Sequence, residues 1–191
     1  MALELDSLPP AYLLTWDDWR ELPDRDGSRY EILGGELYMS LSPGTRHQRV
    51  NRNLMFLIES YLRRTGHGEL FPDRTAVRFS PRDVVMPDLL VVLAGHEDVV
   101  KEDAIDGAPD LVVEVLSPGT ARRDLGVKRA LYEHSGVGEY WIVDPIGETV
   151  QVHVLAEGTF RLHGSFSRNQ VLRSELLLEL EIPLAEAFPP P

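Results

Sequence analysis

Three residues stand out because their chemistry is at odds with the sequence around them. Glu114 interrupts the run Leu111-Val112-Val113-Glu114-Val115-Leu116, whose apolar neighbours would cover both faces of a strand. Burying an unpaired carboxylate costs on the order of several kcal/mol, so this position calls for a cation, a hydrogen-bond network or a metal ion. The plain alternative is a structural ion pair. Asp88 follows Pro87 inside the apolar stretch Val84 to Leu93, with 25 residues between it and Glu114. Adjacent antiparallel strands would bring the two carboxylates within reach of one ion, although a Pro-Asp pair taken alone marks a turn or a strand start.

Lys128 is the third. At about 100° per residue, Ala121, Leu125, Leu131 and Tyr132 flank it on one helical arc while Arg122, Arg129 and Glu133 lie on the far side, so the pattern predicts an inward lysine. Of 19 basic residues, 17 are arginine and only Lys101 and Lys128 are lysine. A chain that otherwise prefers arginine keeps a compact ammonium on the buried side, where the two cations differ most. Asp124, one turn earlier, offers the alternative of an i,i+4 pair worth roughly 0.2–0.5 kcal/mol. Glu31 is a candidate third carboxylate, set against the tendency of a hairpin glutamate to face water. His47 lies on an inward stripe and reads as a hydrogen-bonded core or capping histidine rather than a ligand.

The elements that must position these groups follow from spacing. Thr15 is placed to cap a short helix that ends before Pro23 and acts as a lid or brace. Arg29 to Leu33 and Glu36 to Ser40 form a hairpin about Gly34-Gly35. Val50, Leu54, Leu57, Ile58 and Tyr61 recur at helical spacing from about Arg46 to Thr65, with Gly66 as the stop. Strands are expected over Gly68 to Phe71, Thr75 to Phe79 and Val84 to Leu93, then a central strand from Asp110 to Leu116. The turn Ser117 to Thr120 leads into a helix ending near Gly136. Glu139 to Asp144 is a further strand, stopped by Pro145, and Val150, Val152 and Val154 alternate as in a peripheral strand with one face in water.

Composition narrows the setting. A chain of 191 residues, 43% hydrophobic, can bury one full core, and a single domain over 1–191 with short flexible proline-rich ends is expected. No apolar stretch is long enough to span a membrane, and Met1 to Pro10 lacks the layout of a signal peptide, which predicts a cytoplasmic protein. Without cysteine there are no disulfides, thiolate metal sites or cysteine nucleophiles, so a metal must sit on oxygen or imidazole. A formal charge of -12 argues against a surface that grips nucleic acid everywhere; positive charge for that purpose must be local.

The order helix, three strands, helix, strand, with Pro87-Asp88 on one strand and Glu114 on the next, resembles the PD-(D/E)xK nuclease superfamily. The likeness is closest to its branch of uncharacterised bacterial restriction endonucleases. It is carried by Met86-Pro87-Asp88, Glu114-Val115-Leu116-Ser117-Pro118, Asp124 with Lys128 and Tyr132, and Gly138-Glu139-Tyr140-Trp141-Ile142-Val143-Asp144-Pro145, spanning about Tyr30 to Asp144. In one respect the chain departs from the pattern: the superfamily's lysine stands two residues after the second carboxylate, where this chain has Leu116. Lys128, on the following helix, is the residue that fits a migrated lysine.

The resemblance implies an α/β restriction-endonuclease-like core with an N-terminal hairpin and extra C-terminal strands. It implies a nuclease acting on nucleic acid, DNA foremost, with a homodimer as the expected assembly. It also implies Mg²⁺, or Mn²⁺ in its place, held by Asp88, Glu114 and the Val115 carbonyl, with Asp88, Glu114, Lys128 and Glu31 as the catalytic set. Ser117 to Thr120 and Arg122-Arg123 would then grip a neighbouring phosphate, or form a solvated helix end. Two other readings stay open: a non-catalytic binding or scaffold domain on the same fold, and a phosphoesterase acting on small nucleotides.

Overall fold

The computed structural model describes residues 12–23 and 29–189. The outermost ends, including most of the proline-rich tail and the opening Met1 to Pro10, lie outside these. Short helix α1 (Trp16–Arg20) begins with a capping box: Asp18 donates its amide to the Thr15 hydroxyl and accepts the Thr15 amide on its carboxylate at 2.8 Å. Trp19 donates its indole N–H to the Tyr30 carbonyl at 2.9 Å, so α1 braces the hairpin formed by β1 (Arg29–Leu33) and β2 (Glu36–Ser40). Gly34 and Gly35 turn that hairpin at φ 60° and 84°, a conformation that side chains resist.

Helix α2 (Thr45–Thr65) is amphipathic and ends at Gly66 in the left-handed conformation. After it come β3 (Gly68–Pro72), β4 (Val77–Ser80), β5 (Asp83–Val85), β6 (Leu89–Leu93), β7 (Ile105–Asp106) and β8 (Leu111–Val115). The stretch Val84 to Leu93, expected as one strand, is two. β5 belongs to a five-stranded sheet of order β2-β1-β5-β4-β7, and β6 to a six-stranded sheet. Residues 86–88 cross between them. Pro87 has no N–H to give a ladder, and the Met86 amide is donated to the Glu31 carboxylate at 3.0 Å instead of to a strand.

The chain continues through α3 (Ala121–Arg123), a π-helical turn (Asp124–Lys128) and α4 (Arg129–Ser135), closed by left-handed Gly136. Then follow β9 (Glu139–Asp144), β10 (Thr149–Ala156) and β11 (Thr159–Ser167), the small hairpin β12 (Val171–Arg173) and β13 (Glu181–Pro183), and α5 (Leu184–Ala187). The six-stranded order is β11-β10-β9-β8-β6-β3, with only β8 and β9 parallel. The α3 to α4 segment is the crossover that a parallel pair requires.

Strand β8 is buried along its whole length, as its sequence demands. Leu111, Val113 and Val115 pack with Val50, Leu54 and Ile58 of α2, together with Leu172, Ile182 and Phe188 from the C-terminal elements. Val112 faces the other way, with Leu90, Tyr132 and Tyr140, toward α4 and the smaller sheet. Glu114 shares that second face by alternation. The π-helical turn changes the expected helical arc. Its hydrogen bonds span one residue more than those of the α-helix, which widens the turn and breaks the 100° arithmetic, so Leu125 is 48% exposed while Asp124 is buried.

Candidate active site

The register of β6 against β8 pairs Leu89 with Val113, so the next position along sets Asp88 opposite Glu114. Lys128 enters from the π-helical turn and Glu31 from β1. All four line one cavity of about 20 Å³, with room for little more than an ion or a water. Glu31, Asp88, Glu114, Asp124 and Lys128 are each no more than 2% exposed. Glu31, the candidate third carboxylate, is buried despite the tendency of a hairpin glutamate to face water, because the face of β1 that carries it is covered by the crossing segment and by α3 and the π-helical turn.

The ammonium of Lys128 is 2.5 Å from Glu114 Oε1, 2.9 Å from Glu31 Oε1 and 3.6 Å from Asp124 Oδ1. Pairing with Asp124 alone, the alternative raised by the sequence, is therefore the weakest of its three contacts. Tyr132 donates its hydroxyl to the same Glu114 oxygen at 2.6 Å. Asp88 sits among donors: Arg29 at 3.1 and 3.2 Å on Oδ1, and His47 Nε2 at 3.1 Å and the Val115 amide at 2.8 Å on Oδ2. Val115 meets the site through this N–H. Arg123 reaches Glu31 at 3.4 Å and Ser40 Oγ at 2.5 Å, while Arg122 is exposed.

The carboxylates do not titrate alike. Burial pushes Asp88 up, but the His47 hydrogen bond, the charges of His47 and Arg29 and the Val115 amide outweigh it and hold Asp88 below its ordinary range. Glu31 is likewise driven up by burial and brought below its ordinary value by Lys128 and Arg123. Glu114 is pushed up to about 8 by burial, which Lys128 offsets only in part and which Asp124, Asp88 and Glu31 reinforce. Asp124 is raised as well, again chiefly by burial. Lys128 keeps its proton: desolvation works against the ammonium, but Glu114, Glu31 and Asp124 prevail.

Several members of this cluster carry little signal in the sequence. Arg29 is a hairpin residue with no distinguishing spacing. His47 carried a signal, its place on the inward stripe of α2 one turn before Val50. Asp124 and Tyr132 were visible only as neighbours of Lys128, and Arg123 as half of an arginine pair.

An α/β core of this order, with an acid and lysine cluster at the joint of its two sheets, defines a restriction-endonuclease-like protein. Residues 16–185 match the family described as "Uma2: Putative restriction endonuclease", and the chain belongs to that family. Among solved structures it is similar to one described as a putative nuclease belonging to DUF820 from Anabaena variabilis, with 18% identity and a TM-score of 0.74 over 92% of this chain and 97% of the other. At that identity the likeness is one of fold. No curated protein sequence matches the chain.

The site's donors are hard oxygens of the kind Mg²⁺ and Mn²⁺ take. Asp124 Oδ1 is buried without a hydrogen-bond partner, and Glu114 is poorly satisfied as an anion, so the chemistry of the donor set fits a small divalent cation. The spacing is a separate matter: among the described residues, no three His, Asp or Glu side chains are gathered as an ion would need them. Internal cations already engage these carboxylates: Arg29 on Asp88, and Lys128 on Glu31, Glu114 and Asp124.

Proposed function

We propose that the protein is an endonuclease that hydrolyses phosphodiester bonds in nucleic acid, DNA foremost, with Mg²⁺ or Mn²⁺ held by Asp88 and Glu114. The observation that carries this reading is the convergence of Asp88, Glu114, Glu31 and Lys128 on one cavity from four separate segments of the chain. When bound, such an ion supplies positive charge against the scissile phosphate and acidifies water. The chain's own part is to prearrange charge. His47 and the Val115 amide fix the Asp88 carboxylate, and Tyr132 fixes Glu114. Glu31 holds Lys128, whose ammonium would neutralise charge developing on the phosphate. Leu116 holds no charge at the lysine's usual place, and Lys128 supplies one from the neighbouring helix. No helix among the described residues is long and apolar enough to cross a membrane, and a cytoplasmic homodimer goes with this reading.

The test is cleavage of plasmid, single-stranded DNA, RNA and free nucleotides with Mg²⁺, Mn²⁺ or chelator, comparing wild type with Asp88→Asn and Glu114→Gln. Metal-dependent cleavage of polynucleotide, lost in both variants, is expected. Cleavage confined to nucleotides would make the protein a small-nucleotide phosphoesterase. One observation favours a binding domain without catalysis: Asp88, Glu31 and Glu114 each already have a cationic partner within the chain. Binding of nucleic acid without cleavage of any substrate would decide for that reading.

A further inference from the structure

Two carboxylates of the site, Asp88 of the proposed metal pair and Glu31 beside it, are engaged by arginines. Arg29 grips Asp88 Oδ1 with both terminal nitrogens, at 3.1 and 3.2 Å, and Arg123 lies 3.4 Å from Glu31 Oε2. Their side chains are 16% and 12% exposed, against 3% for Asp88 and 1% for Glu31. Both line the same cavity, alongside the hydroxyls of Ser40, Ser117 and Thr120. Arg123 also has a buried Nε without a hydrogen-bond partner. Two guanidiniums at the solvent side of a hydroxyl-lined cavity have the planar donor geometry that matches a phosphate's oxygens.

A divalent ion entering between Asp88 and Glu114 would meet Arg29, Arg123 and Lys128 together, and their repulsion opposes it. A phosphodiester arriving with the ion removes the conflict. Each arginine exchanges a carboxylate for a phosphate oxygen, Asp88 exchanges its arginine for the metal, and Glu31 keeps Lys128, leaving no charge stranded. Asp73, 3.5 Å from Arg29, is close enough to share that guanidinium as it turns from Asp88.

We propose, resting on the nuclease reading, that Arg29 and Arg123 form a phosphodiester-binding subsite whose occupation releases Asp88 and Glu31, so that nucleic acid and divalent metal bind the protein interdependently. Linkage makes the effect reciprocal: whatever factor the strand adds to metal affinity, the metal adds to strand affinity.

The test is calorimetric titration of the full chain with Ca²⁺, alone and with a short DNA oligonucleotide, and with the same oligonucleotide carrying uncharged methylphosphonate linkages. Ca²⁺ affinity should rise at least tenfold with the charged strand and not with the neutral one. Arg29→Gln with Arg123→Gln should bind Ca²⁺ more tightly than wild type when free, and lose the response to the strand. Should that double variant fold poorly, the wild-type titrations decide alone. Equal Ca²⁺ affinity with and without the charged strand, or no Ca²⁺ binding in either, overturns the proposal. Cleavage of the same oligonucleotide with Mg²⁺ decides the nuclease reading separately, so uncoupled binding in an active enzyme would sink only the exchange.

Discussion

Lys128 Nζ lies 2.5 Å from Glu114 Oε1, an oxygen that also accepts the Tyr132 hydroxyl at 2.6 Å. The lysine reaches the second carboxylate from the crossover helix rather than from the strand that carries it. Its ammonium is shared with Glu31 and Asp124, and four buried acids draw on Lys128, Arg29 and Arg123. Burial and the neighbouring acids leave Glu114 poorly stabilised as an anion in spite of its contacts with Lys128 and Tyr132, with consequences for pH, for stability and for metal.

Stability should fall as pH rises from about 5 to about 8 through Glu114. The unfolded carboxyl ionises near 4.5, while the folded one holds its proton to about 8, so the native state binds the extra proton throughout that window. Asp88 and Glu31 act in the opposite sense. Their folded values lie below the ordinary ones, so the stability they contribute is present above those values and disappears in acid. In thermal melts the advantage of Glu114→Gln over wild type should widen with pH across the window; a constant difference would refute a raised Glu114.

Lys128→Met should lower stability by about 3–5 kcal/mol in urea denaturation, because it strands carboxylates that lost their hydration on burial. Three carboxylates lie within 3.6 Å of the ammonium. Lys128→Arg keeps the charge but must fit a broader group where the lysine is 1% exposed, so only partial recovery is expected. A loss below about 1 kcal/mol for the Met variant, the range of surface pairs, would mean that the cluster is not held by this ammonium.

What the sequence makes legible here is what neighbouring residues decide. Thr15, Gly34-Gly35, Gly66 and Gly136 act on backbone within a few residues, and the ends of their elements fall where those residues place them. Glu114 and Lys128 were visible because each offends its own local pattern. Asp88 drew meaning only from Glu114. By contrast, Glu31 obeys alternation, and nothing nearby reveals that its side of the hairpin is covered by residues some fifty-five positions later, through the Met86 amide. The break in Val84 to Leu93 arises from the same long-range contact. Leu125 fails differently: whether a helix admits a π turn depends on what its buried side must reach, here Lys128 and Asp124 inside the site.

Glu139 carries a prediction for the C-terminal elements. It is fully buried, and accepts from Trp141 Nε1 at 2.5 Å, Ser174 Oγ at 3.0 Å and the amides of Glu175 and Leu176 at 3.1 and 2.9 Å. Glu139→Ala removes the acceptor for four donors and should cost about 3 kcal/mol or more. The loss should be local. Hydrogen exchange should quicken in 174–188 while β8 stays protected, and uniform exchange across the molecule would show that the loop is not tethered through this carboxylate.

Metal should stabilise the protein most at high pH. An ion held by Asp88 and Glu114 must displace the proton that Glu114 keeps to about 8, so binding is opposed in acid and freed as pH rises through that value. Any ion that binds the native state alone stabilises it by an amount that grows with concentration over Kd, about 2.7 kcal/mol at a hundredfold excess. The Mn²⁺-induced rise in Tm should therefore increase from about pH 6 to about pH 9, against the general decline in stability with pH. Glu114→Gln has no proton to release and lacks one anionic ligand, so its metal response should be small and independent of pH. Asp88→Asn should lose the response too, although its baseline Tm will shift because Arg29 and His47 lose their charged partner; the quantity to compare is the increment on adding metal at each pH. A wild-type increment that does not change with pH would separate the metal from Glu114, and an undiminished increment in Asp88→Asn would remove Asp88 from the metal site.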